Sequence, residues 1–544
     1  MESRLLVSAL SLAFSSVTLA EAEWQNLFNG KDLTDWTVTV DTLPIGQDPE
    51  RFVQVRDGSI HMYADTDPSK TVTFGIVTHK DSFSRFHLAL EYRWMEKKFA
   101  PRKDALRDAG LLYHTSSPEK IWPPSVEYQI QEGDSGDLIF IGEAGFSWAH
   151  PQPDLAPPGQ GDASLLPENG GILRKGGNYT YFGRFPEHDH AGWNRVDVIV
   201  HADERAEHIL NGHTRVRLQQ MQHLTGGALK EGKIALQFEA AEVQYRNIRI
   251  RELDAPLSPD KTLLSLSAVK DKPARSGTIR VKNPLDRPLQ ADLSIIGKDA
   301  AAFSASSSAV SVAPGETIEV DVHFRPTRGA DRYSAGLRIG QADTGAFVIL
   351  QGLGLAAFEG KNEPALQTIV HALGIPLDVG GSKLELDTKA KTIGQSIAVP
   401  YFQRAGEAPV KVTPVARFSP PGLEYFGIVK KGSTELKELA ALAESKEVAD
   451  AHQCLMPPWN KISNLEFTPG EEAFAFYFKA HQYTSFTDPE LPTEAKIDHT
   501  ARVYPVTQFQ GREMKDAWLV GFEEAANGDY QDALFLIENV KPAP

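Results

Sequence analysis

The segment Ser125-Val-Glu-Tyr-Gln-Ile-Gln131 alternates polar and apolar side chains. Successive residues of a strand point to opposite faces, so this spacing places Ser125, Glu127, Gln129 and Gln131 on one face and Val126, Tyr128 and Ile130 on the other. A carboxylate set among amides offers fixed acceptors and donors, equipment suited to the hydroxyl groups of a sugar. Two further segments repeat the pattern: Glu91 and Arg93 oppose Leu88, Leu90, Tyr92 and Trp94, while Gln237 and Glu239 oppose Ile234, Leu236 and Phe238. As neighbours in one sheet, these strands would build a concave polar surface for substrate. The alternative is a merely solvated face, common in antiparallel sheets.

Asp108-Ala-Gly-Leu-Leu-Tyr-His114 ends at a histidine, the side chain whose charge changes most readily near neutral pH. His114 is therefore a candidate catalytic or metal-binding group, and a solvated strand end is the plainer reading. Asp134 and Asp137 have the chemistry to bind an oxygen-loving cation or to shape a turn. Near the C-terminus, Glu523, Asn527, Asp529 and Asp532 place oxygen ligands at spacings that could surround calcium, although not in the EF-hand pattern. An acidic loop before a buried strand is the alternative there.

These groups need a scaffold. From residue 23 to 254 the pattern is short alternating strands between Gly, Pro, Asn and Asp turns, which predicts a sandwich or jelly roll. The Pro-, Gly- and Asp-rich stretch from Pro151 to Gly177 predicts a wall or lid over one end of the sheet. A linker at 254–260 precedes about 95 residues whose strand lengths and turns resemble an immunoglobulin-like spacer without the cysteine pair. The remainder, 356–544, reads as a mainly β accessory domain with helices over Glu363 to Leu373 and Ser433 to Asp450.

A chain of 544 residues supports about three domains. Its net charge of −16 opposes binding to a phosphate backbone, so a neutral partner fits better than nucleic acid. One cysteine, Cys454, excludes an intramolecular disulfide; the expectation is a small buried hydrophobe. Residues 1–22 read as a signal peptide: Arg4, an apolar run from Leu5 to Leu19, then Ala20 and Ala22. The run falls short of the ~20 residues that span a bilayer. The expected location is secreted or periplasmic, with no membrane insertion after processing.

Five motifs in this order carry a family resemblance: Asn26-Leu-Phe-Asn-Gly-Lys-Asp-Leu-Thr-Asp-Trp36, Arg107-Asp-Ala-Gly-Leu-Leu-Tyr-His114, Trp122-Pro-Pro-Ser-Val-Glu-Tyr-Gln-Ile-Gln-Glu-Gly-Asp134, Gly192-Trp-Asn194 and Tyr245-Arg-Asn-Ile-Arg-Ile-Arg-Glu252. Together they resemble the 3-keto-disaccharide hydrolase family over about residues 23–254. The resemblance implies a concanavalin-like jelly roll, export, and cleavage of glycosides already oxidised to a ketone at C3.

Two-carboxylate glycosidases pair an acid with a nucleophile or base, whereas the same-face neighbours of Glu127 are amides. A 3-keto sugar needs less, because its carbonyl acidifies the proton at C2: a base removes that proton, the C1 leaving group departs, and water adds back. On this reading Glu127 or His114 is the base. Glu91, Arg93, Gln129, Gln131, Gln237 and Glu239 bind substrate, and a divalent metal at this site is allowed. The sequence departs from the family pattern at Phe238-Glu239-Ala-Ala-Glu242, where many members carry a Gly or a His-Gly pair after the carboxylate. The competing reading is a non-catalytic carbohydrate-binding or adhesion protein that uses the same face, with the C-terminal domains attaching it to a cell surface or polymer.

Overall fold

A computed structural model describes residues 23–116, 120–151, 162–183, 188–341, 345–380, 392–497, 499–525 and 527–543. The expected signal peptide lies outside the described residues. β-structure dominates the chain, and Leu366–Ala372 is the one α-helix among the described residues. No helix among them is long and apolar enough to cross a membrane.

The first domain is a jelly-roll sandwich of two sheets. One has eight strands in the order Asp162–Ala163, Tyr181–Gly183, Leu138–Ile141, Ser125–Gln131, Asp108–Thr115, Gly232–Phe238, Gly75–Phe83 and Trp36–Val40. The second sheet has ten; Arg85–Lys98 lies between Asn194–His201 and Ala241–Glu252 near its middle. Alternation dictates the core: Val126, Tyr128, Ile130, Leu111, Tyr113, Ile234, Leu236 and Phe238 of the first sheet pack on Phe86, Leu88, Leu90, Tyr92, Val196 and Val198 of the second. Each such side chain taken from water contributes about 1.5–3 kcal/mol, so the register of these strands is held by the whole apolar set. A slip of one residue would bury Glu127 and Gln129 in that core.

Residues 258–355 form a second sandwich, of four- and five-stranded sheets, in which Leu263–Val269 runs parallel to Ala346–Leu355. Residues 402–542 form a third, of two six-stranded sheets closed over Phe426, Phe476, Phe478, Phe522 and Phe535. The first and second sandwiches meet through Phe146, Trp148, Leu173, Leu263 and Ile349, with Arg217 stacked 4.3 Å from the ring centre of Phe347.

Three expectations about elements are corrected. The segment 433–450 is not helical: Leu436–Ala441 is a strand paired with Tyr425–Lys430, because cross-strand pairing outweighs the helix propensity of its Leu, Ala, Glu and Lys. The helix expected from Glu363 to Leu373 is shorter, Leu366–Ala372, and its buried Leu366, Ile369 and Val370 face the second and third sandwiches. The described part of 151–177 makes edge strands rather than a lid, with Ile172–Gly176 pairing to Glu143–Ala149; residues 152–161 lie outside the described residues. Cys454 is buried against Ala451, and burial pushes its thiol up to about 11, consistent with a small apolar role.

Candidate functional site

The outer face of the eight-stranded sheet gathers the polar residues that alternation predicts. Gly110 lies opposite Gln129, Leu112 opposite Glu127 and Asp108 opposite Gln131; on the far side of the Asp108–Thr115 strand, Leu236 aligns with Leu111, which brings Gln237 level with Gly110. Glu127, Gln129, Gln237, Asp108 and Glu239 are all buried, and Gln131 is half-buried. Gly110 makes this crowding possible. A methyl group there would come 2.1 Å from Gln237 Oε1 and 2.3 Å from Glu127 Oε1.

The face has a wall of ion pairs. Arg102 reaches in from the loop after the Arg85–Lys98 strand, donating to Asp108 Oδ2 at 2.5 Å and to Glu239 Oε2 at 2.6 Å. Gln131 donates to the same Asp108 oxygen at 2.8 Å. The Trp122 indole N–H donates to Glu239 Oε1 at 3.2 Å, and the ring, edge-on to Phe74, is 40% exposed. An exposed aromatic face beside carboxylates and amides is a surface on which a sugar ring can stack.

Burial raises two carboxyls of the face, Glu127 and Glu239. Burial first, then the charges of Glu239 and Asp108, raise the Glu127 carboxyl well above its ordinary value. No side chain among the described residues hydrogen-bonds Glu127, whose carboxylate is therefore a strong base once ionised. Burial and the Asp108 charge push Glu239 up to about 7 against the opposing pull of Arg102. Both atoms of the Gln237 amide are buried without a partner. Such atoms cost free energy unless a ligand or water meets them.

The residues do not fit a divalent metal at this face. Asp108 and Glu239, the acidic pair such an ion would use, are already spanned by the Arg102 guanidinium, which supplies the positive charge itself.

Several predicted residues lie elsewhere. Glu91 and Arg93 belong to the ten-stranded sheet and point away from its core, so the whole sandwich separates them from Glu127. There Glu91 accepts from Arg246 at 2.6 Å, Arg93 donates to Gln244 at 2.5 Å, and both arginines flank Trp193. His114 is also displaced from the site. It sits in a bulge with φ 54°, and its ring packs against Phe86 and Tyr113 with Nε2 on the Ala202 carbonyl at 3.1 Å. Burial lowers its pKa to about 4, leaving it neutral inside the core. Ser125 bonds its hydroxyl to the Pro123 carbonyl of its own turn. Asp134 and Asp137 shape the turn after the Ser125–Gln131 strand, and Asp137 accepts from Tyr181 at 2.8 Å and faces Arg215 at 3.4 Å.

Asp108, Gly110 and Trp122 fall inside the family motifs but have no assigned role in the sequence reading. Their signal was positional: same-face parity with Glu127 for the first two, proximity to the Ser125–Gln131 strand for the third. Arg102 carries no such signal, since its loop has no periodicity.

In the third sandwich, carboxylate oxygens of Glu523, Asp529 and Asp532 lie within 4.8 Å of one another. Asn527 is exposed and does not join them; its side-chain oxygen accepts the Asp529 N–H at 3.3 Å. Burial and the charges of Glu523 and Glu363 push Asp529 up to about 7.

Residues 23–251 match the model of a family described as the 3-keto-alpha-glucoside-1,2-lyase-like domain. Among solved structures, a candidate glycosyl hydrolase from Parabacteroides distasonis is 21% identical over 42% of this chain and 94% of its own, with a TM-score of 0.27. A protein of unknown function with a galectin-like fold from Bacillus subtilis is 15% identical over 42% and 94%, TM-score 0.25. A carbohydrate-binding module from Bacillus subtilis is 9% identical over 41% and 98%, TM-score 0.24. No curated protein matches the chain. The family match gives the first domain a carbohydrate-related function.

Proposed function

We propose, from the family to which residues 23–251 match and from the chemistry of the face they form, that the first domain cleaves 3-keto-glycosides by elimination across C1 and C2. The observation that carries this reading is Glu127: one buried carboxylate with no bonded cation among the described residues, set between Gln129 and Gln237. Trp122 stacks the sugar ring, and the unpartnered Gln237 amide meets its polar edge.

Glu127 removes the proton from C2, and the C–H electron pair becomes an enolate whose charge rests on the C3 oxygen. Amide N–H groups and the Arg102 guanidinium stabilise that charge. The enolate then collapses to a C1–C2 double bond as the C1–O bond breaks. Glu239, protonated in part near neutral pH, gives the departing oxygen its proton. Water adding across the double bond completes net hydrolysis. We further propose that the protein is exported, and that residues 255–355, as an immunoglobulin-like spacer, and the C-terminal domain hold it to a surface or polymer.

The test is turnover of a nitrophenyl 3-keto-glucoside. The wild-type protein releases nitrophenol, more slowly when C2 carries deuterium, and Glu127→Gln loses about 10²–10⁴-fold in rate. Full activity in that variant overturns the assignment of the base. Glycan binding without turnover by the wild type replaces the enzyme reading with that of a binding module.

A further inference from the structure

We infer that the third sandwich holds a calcium ion between Asp529 and Asp532, a site independent of the carbohydrate face. The loop that carries it is folded around Glu523. Both oxygens of this carboxylate accept backbone N–H groups: Oε1 from Ala525 at 3.2 Å and Asn527 at 3.1 Å, Oε2 from Gly528 at 2.9 Å and Tyr530 at 3.3 Å. Glu523 thereby fixes the loop and sets the positions of the two aspartates. Carboxylate oxygens of Glu523, Asp529 and Asp532 lie within 4.8 Å of one another, a separation that ligands on one calcium can have with bonds about 2.3–2.6 Å long.

The aspartates alone would be only an acidic cluster; buried neighbours point to a ligand. Gln531 is 1% exposed, and its amide nitrogen is pinned to Glu363 Oε2 at 3.1 Å and Asp529 Oδ2 at 3.2 Å. That leaves its carbonyl oxygen buried and without a partner. Glu524 is 3% exposed and donates its backbone N–H to Asp532 Oδ2 at 2.5 Å, while the charges of His481 and Arg417 act on its own carboxyl. Asp529 Oδ1 is a second oxygen buried without a partner among the described residues. Unsatisfied acceptor oxygens of this kind are the complement of a hard cation, and buried like charges without one repel. Oxygen donors in irregular array suit calcium better than magnesium, which demands a near-ideal octahedron.

The experiment is thermal unfolding of the full chain after chelator treatment and dialysis, with calcium chloride, magnesium chloride, or sodium chloride at matched ionic strength. Calcium raises the midpoint of one transition by several degrees in a saturable manner, and sodium does not. Asp529→Asn, a half-buried isosteric change, abolishes the calcium shift yet melts no lower than wild type in chelator, because it removes one repelling charge. Absence of a calcium shift in the wild type, an equal shift with sodium, a shift with magnesium alone, or a full calcium shift in Asp529→Asn each overturns the site. Turnover of keto-sugar by the first domain is a separate readout and does not bear on this result.

Discussion

Glu127 and Gln237 meet over a glycine: their side-chain oxygens occupy the space that a Cβ on Gly110 would fill, at 2.3 and 2.1 Å respectively. Two strands thus deliver a carboxylate and an amide to one spot, and the strand between them yields the room.

Gly110→Ala tests that relationship. The clashing atoms are the ends of flexible side chains, so the variant folds, at a cost of about 1–3 kcal/mol for overpacking. Glu127 and Gln237 must move apart by an ångström or more, a displacement that typically removes about 10²-fold in rate. We expect kcat/KM on a 3-keto-glucoside to fall by that factor while far-ultraviolet circular dichroism is unchanged. Activity within twofold of wild type would show that the two side chains do not act together.

Glu239→Gln separates the two carboxylates by pH. Glu127 must be ionised to act as a base, and after burial the charge of Glu239 is the largest influence holding its pKa up. Removing that charge shifts the ascending limb of the kcat/KM profile toward lower pH. The same change removes the acid proposed to protonate the leaving oxygen, so an alcohol leaving group suffers more than nitrophenolate. Stability follows the sign of the Glu239 shift. Its folded value, about 7, lies above 4.5, so its contribution is present below about 4.5 and is lost as pH rises through 7. Glu239→Gln flattens that part of the stability profile. An unmoved limb in the kinetic profile would remove the coupling between Glu239 and Glu127.

Period-two alternation made Glu127, Gln129, Gln131 and Gln237 legible as one face, because a strand leaves no other choice once one side is apolar. It gave Glu91 and Arg93 the same signature, and parity carries no information about which sheet a strand joins. The long Arg85–Lys98 strand pairs with Asn194–His201 and Ala241–Glu252, and that placement depends on contacts far apart in sequence. His114 misled for a different reason: a bulge at φ 54° resets the alternation, turning toward the core a residue that unbroken parity would put beside Glu127. Of the four C-terminal residues that spacing grouped, the structure brings Glu523, Asp529 and Asp532 together and leaves Asn527 exposed. Spacing could not tell that the fold buries Gln531 and exposes Asn527, since that depends on contacts outside the loop.

The departure from the family pattern after Glu239 has a structural reading that a substitution can check. Ala240 adopts φ 61°, the left-handed region where a glycine is at ease. An L-residue there costs roughly 1–2 kcal/mol. Ala240 is also buried, its N–H faces the Tyr63 hydroxyl at 3.3 Å, and its carbonyl accepts the Phe99 N–H at 2.9 Å. Replacing it with Gly relieves the left-handed strain, loses about 0.8 kcal/mol for the methyl, and adds roughly 0.5–1 kcal/mol of chain entropy to the unfolded state. These terms cancel, so Ala240→Gly should leave stability within about 0.5 kcal/mol of wild type. Ala241 is equally buried but begins a strand and has no left-handed strain to relieve. There the same change should cost about 1.5 kcal/mol, the sum of the methyl and entropy losses. Chemical denaturation of the two variants side by side measures the difference; equal losses would mean that the backbone at Ala240 stores no strain, and that the family's glycine is not there for its conformation.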